Sequence, residues 1–293
     1  MDLAYLRAHP QHLPTFLTHQ RIRETPVSGG SVARASRLTL DDGASLFTKT
    51  WEPGTPPPGY FEAEAAGLAW LGATDAVPIP EVFAALPSMI AMEWVEPGPA
   101  TRAAASAFGR SLAELHRFGA PGFGASWPGF IGPLPLDNTV SAGPWGAWFG
   151  ERRLRPFLRL SVDRGALSAA DAALVEQVIK TIEGYAQSEP PARIHGDLWP
   201  GNILWAHDGR AWLIDPAAQG GHRETDLATL ALFGGAPHLD AIVGAYNEAF
   251  PLADGWQQRT PLHQLHLLLV HTAAFGESYR SAVRSAAEAA ARL

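Results

Sequence analysis

The chain contains no cysteine among its 293 residues. Disulfides and thiolate metal sites are thereby excluded, though this alone does not identify a reducing compartment. No apolar run approaches the ~18 residues that would suggest a membrane span. Nor is positive charge in excess: 22 Lys and Arg against 29 Asp and Glu leave a net charge of −7. No basic face for bulk nucleic-acid binding is implied. The stretch from Met1 to Arg7 lacks a positive region leading into an uninterrupted apolar segment, so no signal peptide is visible. Repeats, charged tails and low-complexity blocks are missing too. What is present is 46% hydrophobic content in a length that suits a single globular unit with a substantial core. These features read as a soluble cytoplasmic protein with no nucleic-acid or membrane partner, expected to be a monomer.

The most informative stretch runs His195-Gly196-Asp197-Leu198-Trp199-Pro200-Gly201-Asn202, followed by Leu213-Ile214-Asp215-Pro216. It sets one acid, an amide at the fifth position after it, and a second acid ending an apolar run. Phosphoryl transfer from ATP needs that set. One carboxylate receives the proton of the attacking hydroxyl, and an Asn with a second Asp holds the Mg²⁺ that neutralises the triphosphate. Asp197 is therefore the candidate catalytic residue, and Asn202 and Asp215 are the candidate metal ligands. Arg193-Ile194 leads in and Ile203-Leu204-Trp205 leads out; Asp208-Gly209 turns, and Ala211 to Ile214 returns as a strand ending at Asp215. An isolated His-Gly-Asp arises easily by chance. The full string is more restrictive, and it becomes decisive once a nucleotide site is found elsewhere.

The amino-terminal third supplies one. Between Thr25 and Ala35, Gly29 and Gly30 can take positive φ and bring backbone N–H groups to phosphate oxygens. No Gly-Lys-Ser/Thr follows, so this is not a P-loop. Ser36 to Leu40 and Ser45 to Thr50 alternate as strands around Asp41-Asp42-Gly43. Lys49 then lies on a strand, where a kinase-like domain keeps the lysine that grips the α/β-phosphates; alone, it would read as a solvated edge-strand charge. After a Pro/Gly-rich loop, Phe61, Ala65, Leu68 and Leu71 recur at helical spacing from Tyr60 to Gly72. Glu64 shares a side with Leu68 and Leu71 and is the candidate partner of Lys49, whereas Glu62 reads as a helix-start charge. Pro78 to Val82 and Met89 to Val95 bracket the next strand pair. The run breaks at Pro97-Gly98, a hinge where backbone groups of Glu93 and Val95 are candidates for an adenine edge.

With both parts in view, the chain resembles the fructosamine kinase (ketosamine-3-kinase) family, a branch of the protein-kinase-like superfamily near aminoglycoside and choline kinases. The resemblance runs from Gly29-Gly30 and Lys49 through Phe61 to Leu68, Met92-Glu93, Leu112-Ala113-Glu114-Leu115-His116, Phe123-Gly124, Ile131-Gly132, Trp148-Phe149 and Glu151-Arg152-Arg153-Leu154. It continues with His195 to Asn202, Asp215-Pro216 and Gly221-His222-Arg223-Glu224-Thr225-Asp226-Leu227-Ala228. Leu136-Asp137-Asn138 departs from the family pattern, and Ser31-Val32 stands where some members carry cysteine, which excludes thiol-based control. The resemblance implies an α+β bilobal kinase-like fold, with residues 1–95 as an ATP-binding lobe and 96–293 as a mainly helical lobe carrying the substrate cleft. It implies ATP and Mg²⁺, with Gly29, Gly30, Lys49, Glu64, Glu93 and Val95 around the nucleotide. The implied substrate is a small ketosamine or glycated lysine phosphorylated at O3, with Trp199, His222 and Glu224 in contact with it.

Other features refine that expectation. Past the hinge, helices are expected over Ala103–His116, Trp145–Leu160, Ser168–Tyr185, Asp226–Leu232, Leu239–Phe250, Leu262–Tyr279 and Ser281–Leu293. The family uses Asp226 to brace the catalytic loop, which makes it structural here. Only ten residues separate Asp215 from Asp226, too few for a peptide-docking activation segment. Arg152 and Arg153 are expected on the wall of the substrate cleft. His263, His266 and His271 share a helix without a metal-protease pattern and are expected at the core edge or surface. Three rivals stay open: a kinase for another small alcohol (aminoglycoside, choline or homoserine), a nucleotide-binding regulatory module without catalysis, and a purely structural or interaction protein, in which nothing would require this set of residues.

Overall fold

In a computed structural model, structure is described for residues 3–17, 22–27, 33–40, 42–51, 54–183 and 189–293. Gly29 and Gly30 lie outside the described residues. Two short helices, α1 (Leu3–Ala8) and α2 (Leu13–Leu17), precede β1 (Arg23–Pro26), β2 (Ala33–Thr39), β3 (Ser45–Trp51), α3 (Tyr60–Gly72), β4 (Val82–Leu86) and β5 (Met89–Glu93). The strands form one antiparallel sheet in the order β1-β2-β3-β5-β4.

The period of two in the strands decides which residue meets which layer. Leu38, Leu46, Met89 and Ala91 face one way and form a core with Leu6 and Leu13 from the amino-terminal segment. Phe47, Ile90 and Met92 face the other way and pack on Phe61 and Leu68 of α3. Lys49 has the parity of Phe47, so its side chain leaves the sheet on the α3 side. It sits between Ala35 and Ile90 on a central strand, not an edge.

The remainder is mainly helical. It comprises α4 (Arg102–Arg117), the hairpin β6 (Gly129–Ile131) and β7 (Leu134–Leu136), α5 (Trp145–Phe149), a π-helical turn over Gly150–Leu154, α6 (Arg155–Asp163) and α7 (Ala169–Glu183). Then follow β8 (Ala192–Ile194), β9 (Ile203–Trp205), β10 (Ala211–Leu213), β11 (Gln219–Gly221), α8 (Arg223–Thr229), α9 (Leu239–Ala249), α10 (Trp256–Phe275) and α11 (Arg280–Ala290). The Thr101 hydroxyl caps α4 by accepting from the Ala104 N–H. Ser168 and Asp171 form a reciprocal capping box ahead of α7. One core joins α5–α7 to α10 and α11. A second joins α4 and α9 to β9 and β10 and takes in Leu71 of α3, which anchors the sheet layer to the helical layer.

Two expectations on boundaries need correction. The segment expected as one helix from Trp145 to Leu160 is two helices joined by the π turn. The helix expected over Leu262–Tyr279 begins at Trp256 and contains Pro261. Pro261 removes a single backbone donor near the helix start, where packing of Leu262 and Leu265 outweighs the loss. The same helix stops at Phe275, because Gly276 turns the chain at φ 87°, ψ −161°. Among the described residues no helix is long and apolar enough to cross a membrane.

Candidate active site

The loop that carries Asp197 is positioned by pairing that its own residues do not advertise. Strand β8 pairs with β11, which brings the chain entering His195 beside the chain leaving Asp215. Gly196 lies at φ 81°, and a Cβ there would come within 2.2 Å of the Ala217 carbonyl oxygen, so the turn admits glycine alone. The buried Asp226 carboxylate accepts from the His195 N–H (2.7 Å) and the Gly196 N–H (2.9 Å), and it faces His116 Nε2 at 3.1 Å. Despite burial, these donors hold its pKa low. The structural role expected for Asp226 is thus visible as three contacts. Burial lowers the His195 pKa and keeps the ring neutral. His195 Nδ1 accepts from the Asp197 N–H, and Nε2 donates to the Ile214 carbonyl, linking the loop to the strand that delivers Asp215.

The polar groups converge at the mouth of this loop. Lys49 Nζ donates to Glu64 Oε1 at 2.7 Å and is also paired with Asp215 Oδ1. Burial lowers the Lys49 pKa, but Asp215 and Glu64 outweigh it and hold the pKa above the ordinary lysine range. Asp215 sits at φ 55°, a left-handed backbone uncommon for a non-glycine residue. Asn202 donates its amide to the Asp197 backbone oxygen (2.8 Å) and to Asp197 Oδ2 (3.2 Å). Burial, then the nearby Asp215 charge, pushes the Asp197 pKa well above the usual carboxylate range against that hydrogen bond. Asp197 Oδ1 is buried and has no partner among the described residues. With its amide N–H committed to Asp197, Asn202 has its carbonyl oxygen left. That oxygen and the Asp215 carboxylate are hard donors suited to Mg²⁺.

A cleft of about 900 Å³ contains these groups; Lys49, Glu64, Glu93, Val95, Asp197, Trp199, Asn202 and Asp215 all line it. The Glu93 N–H is already donated to the Glu81 carbonyl at 2.8 Å. Trp199 folds its ring over Gly201, where a Cβ would meet the indole at 2.2 Å.

His222 and Glu224 do not reach the cleft, contrary to expectation. Both are buried; His222 caps α8, and Glu224 makes a two-point ion pair with Arg259 at 2.6 and 2.8 Å. Arg259 lies far along the sequence, so the spacing around Glu224 could not reveal its partner. Arg153 is also interior, not on the cleft wall. It donates to Asn138 Oδ1 and Gln219 Oε1 and lies over Trp148, with burial lowering its pKa to about 9. Arg152 pairs with Asp137 at the surface. Sequence reasoning overlooked Phe233, Phe275 and Tyr279, which line the cleft with His271. Phe233 carries a backbone signal, φ 52°, but no sequence motif.

The family description "Fructosamine kinase" matches residues 9–291. A solved Thermobifida fusca protein described as a candidate fructosamine-3-kinase is 48% identical, with a TM-score of 0.87 over 93% of this chain and 94% of that one. An Enterococcus faecium protein named "Probable ketoamine kinase" is 35% identical over 264 residues, 88% of this chain and 91% of its own length. The protein-ribulosamine 3-kinase of Oryza sativa subsp. indica, described as chloroplastic, is 34% identical over 88% of this chain and 75% of its own. An aminoglycoside phosphotransferase at 14% identity and TM-score 0.62, covering 96% of this chain and 98% of that one, shows the shared kinase-like fold. Matched along nearly its whole length, the chain belongs to the fructosamine kinase family.

Proposed function

We propose that the protein transfers the γ-phosphoryl group of ATP to the O3 hydroxyl of a ketosamine, releasing ADP and a ketosamine 3-phosphate. The observation that carries this reading is the junction of Lys49 with both Glu64 and Asp215, facing Asp197 and Asn202 across one cleft. In it, Lys49, steadied by Glu64, holds the α/β-phosphates, and the Glu93 carbonyl with the Val95 backbone holds the adenine edge. Asn202 and Asp215 would hold Mg²⁺, which when bound neutralises charge on the triphosphate. The partnerless Oδ1 of Asp197 orients the acceptor hydroxyl and takes its proton as oxygen attacks phosphorus. Trp199 contacts the acceptor beside Asp197. We take residues 1–95 as the nucleotide lobe and 96–293 as the acceptor lobe. Every group invoked comes from one chain, and we read the protein as a cytoplasmic monomer.

The names of its relatives support a ketosamine acceptor, and decomposition of the 3-phosphate would free the amine, a deglycation. The test is ADP release with fructosyl-lysine and ribulosyl-lysine beside an aminoglycoside, choline and homoserine. Turnover confined to the ketosamines is expected. No ketosamine turnover, with ATP still bound, would remove the assignment.

A further inference from the structure

Two groups of side chains in the cleft lining differ in chemistry. Four carboxylates stand among its described lining residues: Glu64 and Asp215 on Lys49, Glu93 at the adenine side, and Asp197. Beyond Asp197 the wall carries no further acid. A chain of rings, Trp199, Phe233, His271, Phe275 and Tyr279, lines that part, in addition to Phe47, Tyr60, Trp94, Trp127 and Phe130 elsewhere in the cleft. Ring centroids lie 4.6 Å apart for Phe233 and His271, 5.1 Å for His271 and Tyr279, 5.5 Å for His271 and Phe275, and 5.9 Å for Trp199 and Phe233.

Two backbone devices hold this wall open to the cleft. Phe233 sits at φ 52°, a region a bulky aromatic rarely adopts, and its side remains 41% exposed. A ring kept at a strained backbone yet left half in water is not serving the core. On the other side, Gly276 ends α10 with a backbone open to glycine, and the turn Glu277–Tyr279 folds Tyr279 back onto His271 and Phe275. Phe275 is itself 50% exposed. His271 donates Nδ1–H to the Leu267 carbonyl, and burial keeps its pKa low, so the wall presents neutral ring faces.

We propose that this wall is the subsite for the amine-derived substituent of the ketosamine and that it selects aromatic substituents over short polar ones. The proposal rests on the ketosamine reading above. With the sugar hydroxyl at Asp197, the nitrogen substituent extends toward Trp199 and Phe233, where ring faces stack on an aryl group and tolerate the single ammonium beside it. A polycationic acceptor finds one carboxylate here where it would need several, which disfavours aminoglycosides.

The test is steady-state kinetics with two synthetic acceptors, the fructosyl adducts of benzylamine and of glycine, on the wild type and on Phe275→Ala and Phe233→Gly. The wild type should show a KM for the benzylamine adduct about tenfold below that for the glycine adduct, as expected for filling an apolar pocket. Each variant should narrow that ratio by raising the benzylamine KM more than the glycine KM. Phe233→Gly also relieves the backbone strain, so a melting temperature at or above wild type shows that a lost preference is not lost folding. Turnover of both adducts with equal KM in the wild type overturns the subsite and leaves the ketosamine reading standing. So does a variant that shifts both KM values equally. No turnover of any ketosamine overturns both.

Discussion

Two acidic clusters in this molecule respond to burial in opposite ways. In the cleft, Asp197 is half-buried beside Asp215, its buried Oδ1 has no partner among the described residues, and its pKa is driven well above the usual range. In the interior, Glu224 is buried, yet its two-point pairing with Arg259 and the nearby His263 hold its pKa down to about 2 against the cost of burial. The same residue class, within one stretch of chain, is left short of a partner in the cleft and fully matched in the interior. Burial therefore does not separate function from structure here; the state of the hydrogen-bonding account does.

That contrast can be broken by removing one member of each cluster. Asp197→Asn should lower kcat by about 10²–10⁴-fold, the usual worth of a positioned proton acceptor, with ATP affinity nearly unchanged. Glu224→Ala should instead act on stability. It strands the Arg259 charge in the interior and should cost about 3–5 kcal/mol in denaturant unfolding, while the folded fraction keeps its KM for ATP. The double variant Glu224→Leu with Arg259→Met should recover much of that loss, because no lone charge remains. If Glu224→Ala raised the acceptor KM at unchanged stability, Glu224 would belong to the cleft after all.

A smaller effect sharpens the cleft side. Glu64→Gln should raise the KM for ATP about tenfold, the loss of one charge-assisted bond to Lys49, with a lesser change in kcat. Smallest is the response to acid, and its sign is fixed by the interior cluster. Glu224 titrates near 2 folded and near ~4.3 unfolded, so its contribution is complete above the unfolded value and is lost as pH falls toward about 2. His266 is buried and neutral with its pKa lowered to about 3, so the unfolded chain binds the extra proton first, from pH ~6.5 downward. Both act in the same direction. The melting-temperature gap between the wild type and Glu224→Ala should stay constant from about pH 7 to about 4.3 and close as pH falls further; a gap that does not narrow below about pH 4 would contradict the pairing.

These particulars also show what the amino-acid order discloses. Asp197, Asn202 and Asp215 were legible because they sit within one hairpin, where spacing fixes geometry. Lys49 and Glu64 were legible because strand and helix periods dictate which face each side chain takes, and the structure brings the two together at 2.7 Å. His222 and Glu224 were misjudged because an acid looks alike in sequence whether it faces solvent or a distant arginine. The fate of Arg153 was hidden for the same reason, its partners Asn138 and Gln219 arriving from either side of it in the chain. The aromatic wall was invisible because its rings come from the loop after α8 and from the end of α10, and no local pattern records their meeting. The start of α10 was misplaced because Pro261 reads locally as a stop, and only core packing overrides it.

The central claim is that Asp197 takes the proton of a ketosamine hydroxyl while Lys49 holds the phosphates opposite. Phosphorus NMR of fructosyl-lysine incubated with ATP, Mg²⁺ and either the wild type or Asp197→Asn tests it most directly. A new sugar-phosphate resonance with the wild type, absent on the same timescale with Asp197→Asn despite bound nucleotide, is the expected result. Equal formation of that phosphate by both proteins, or none by the wild type, would contradict it.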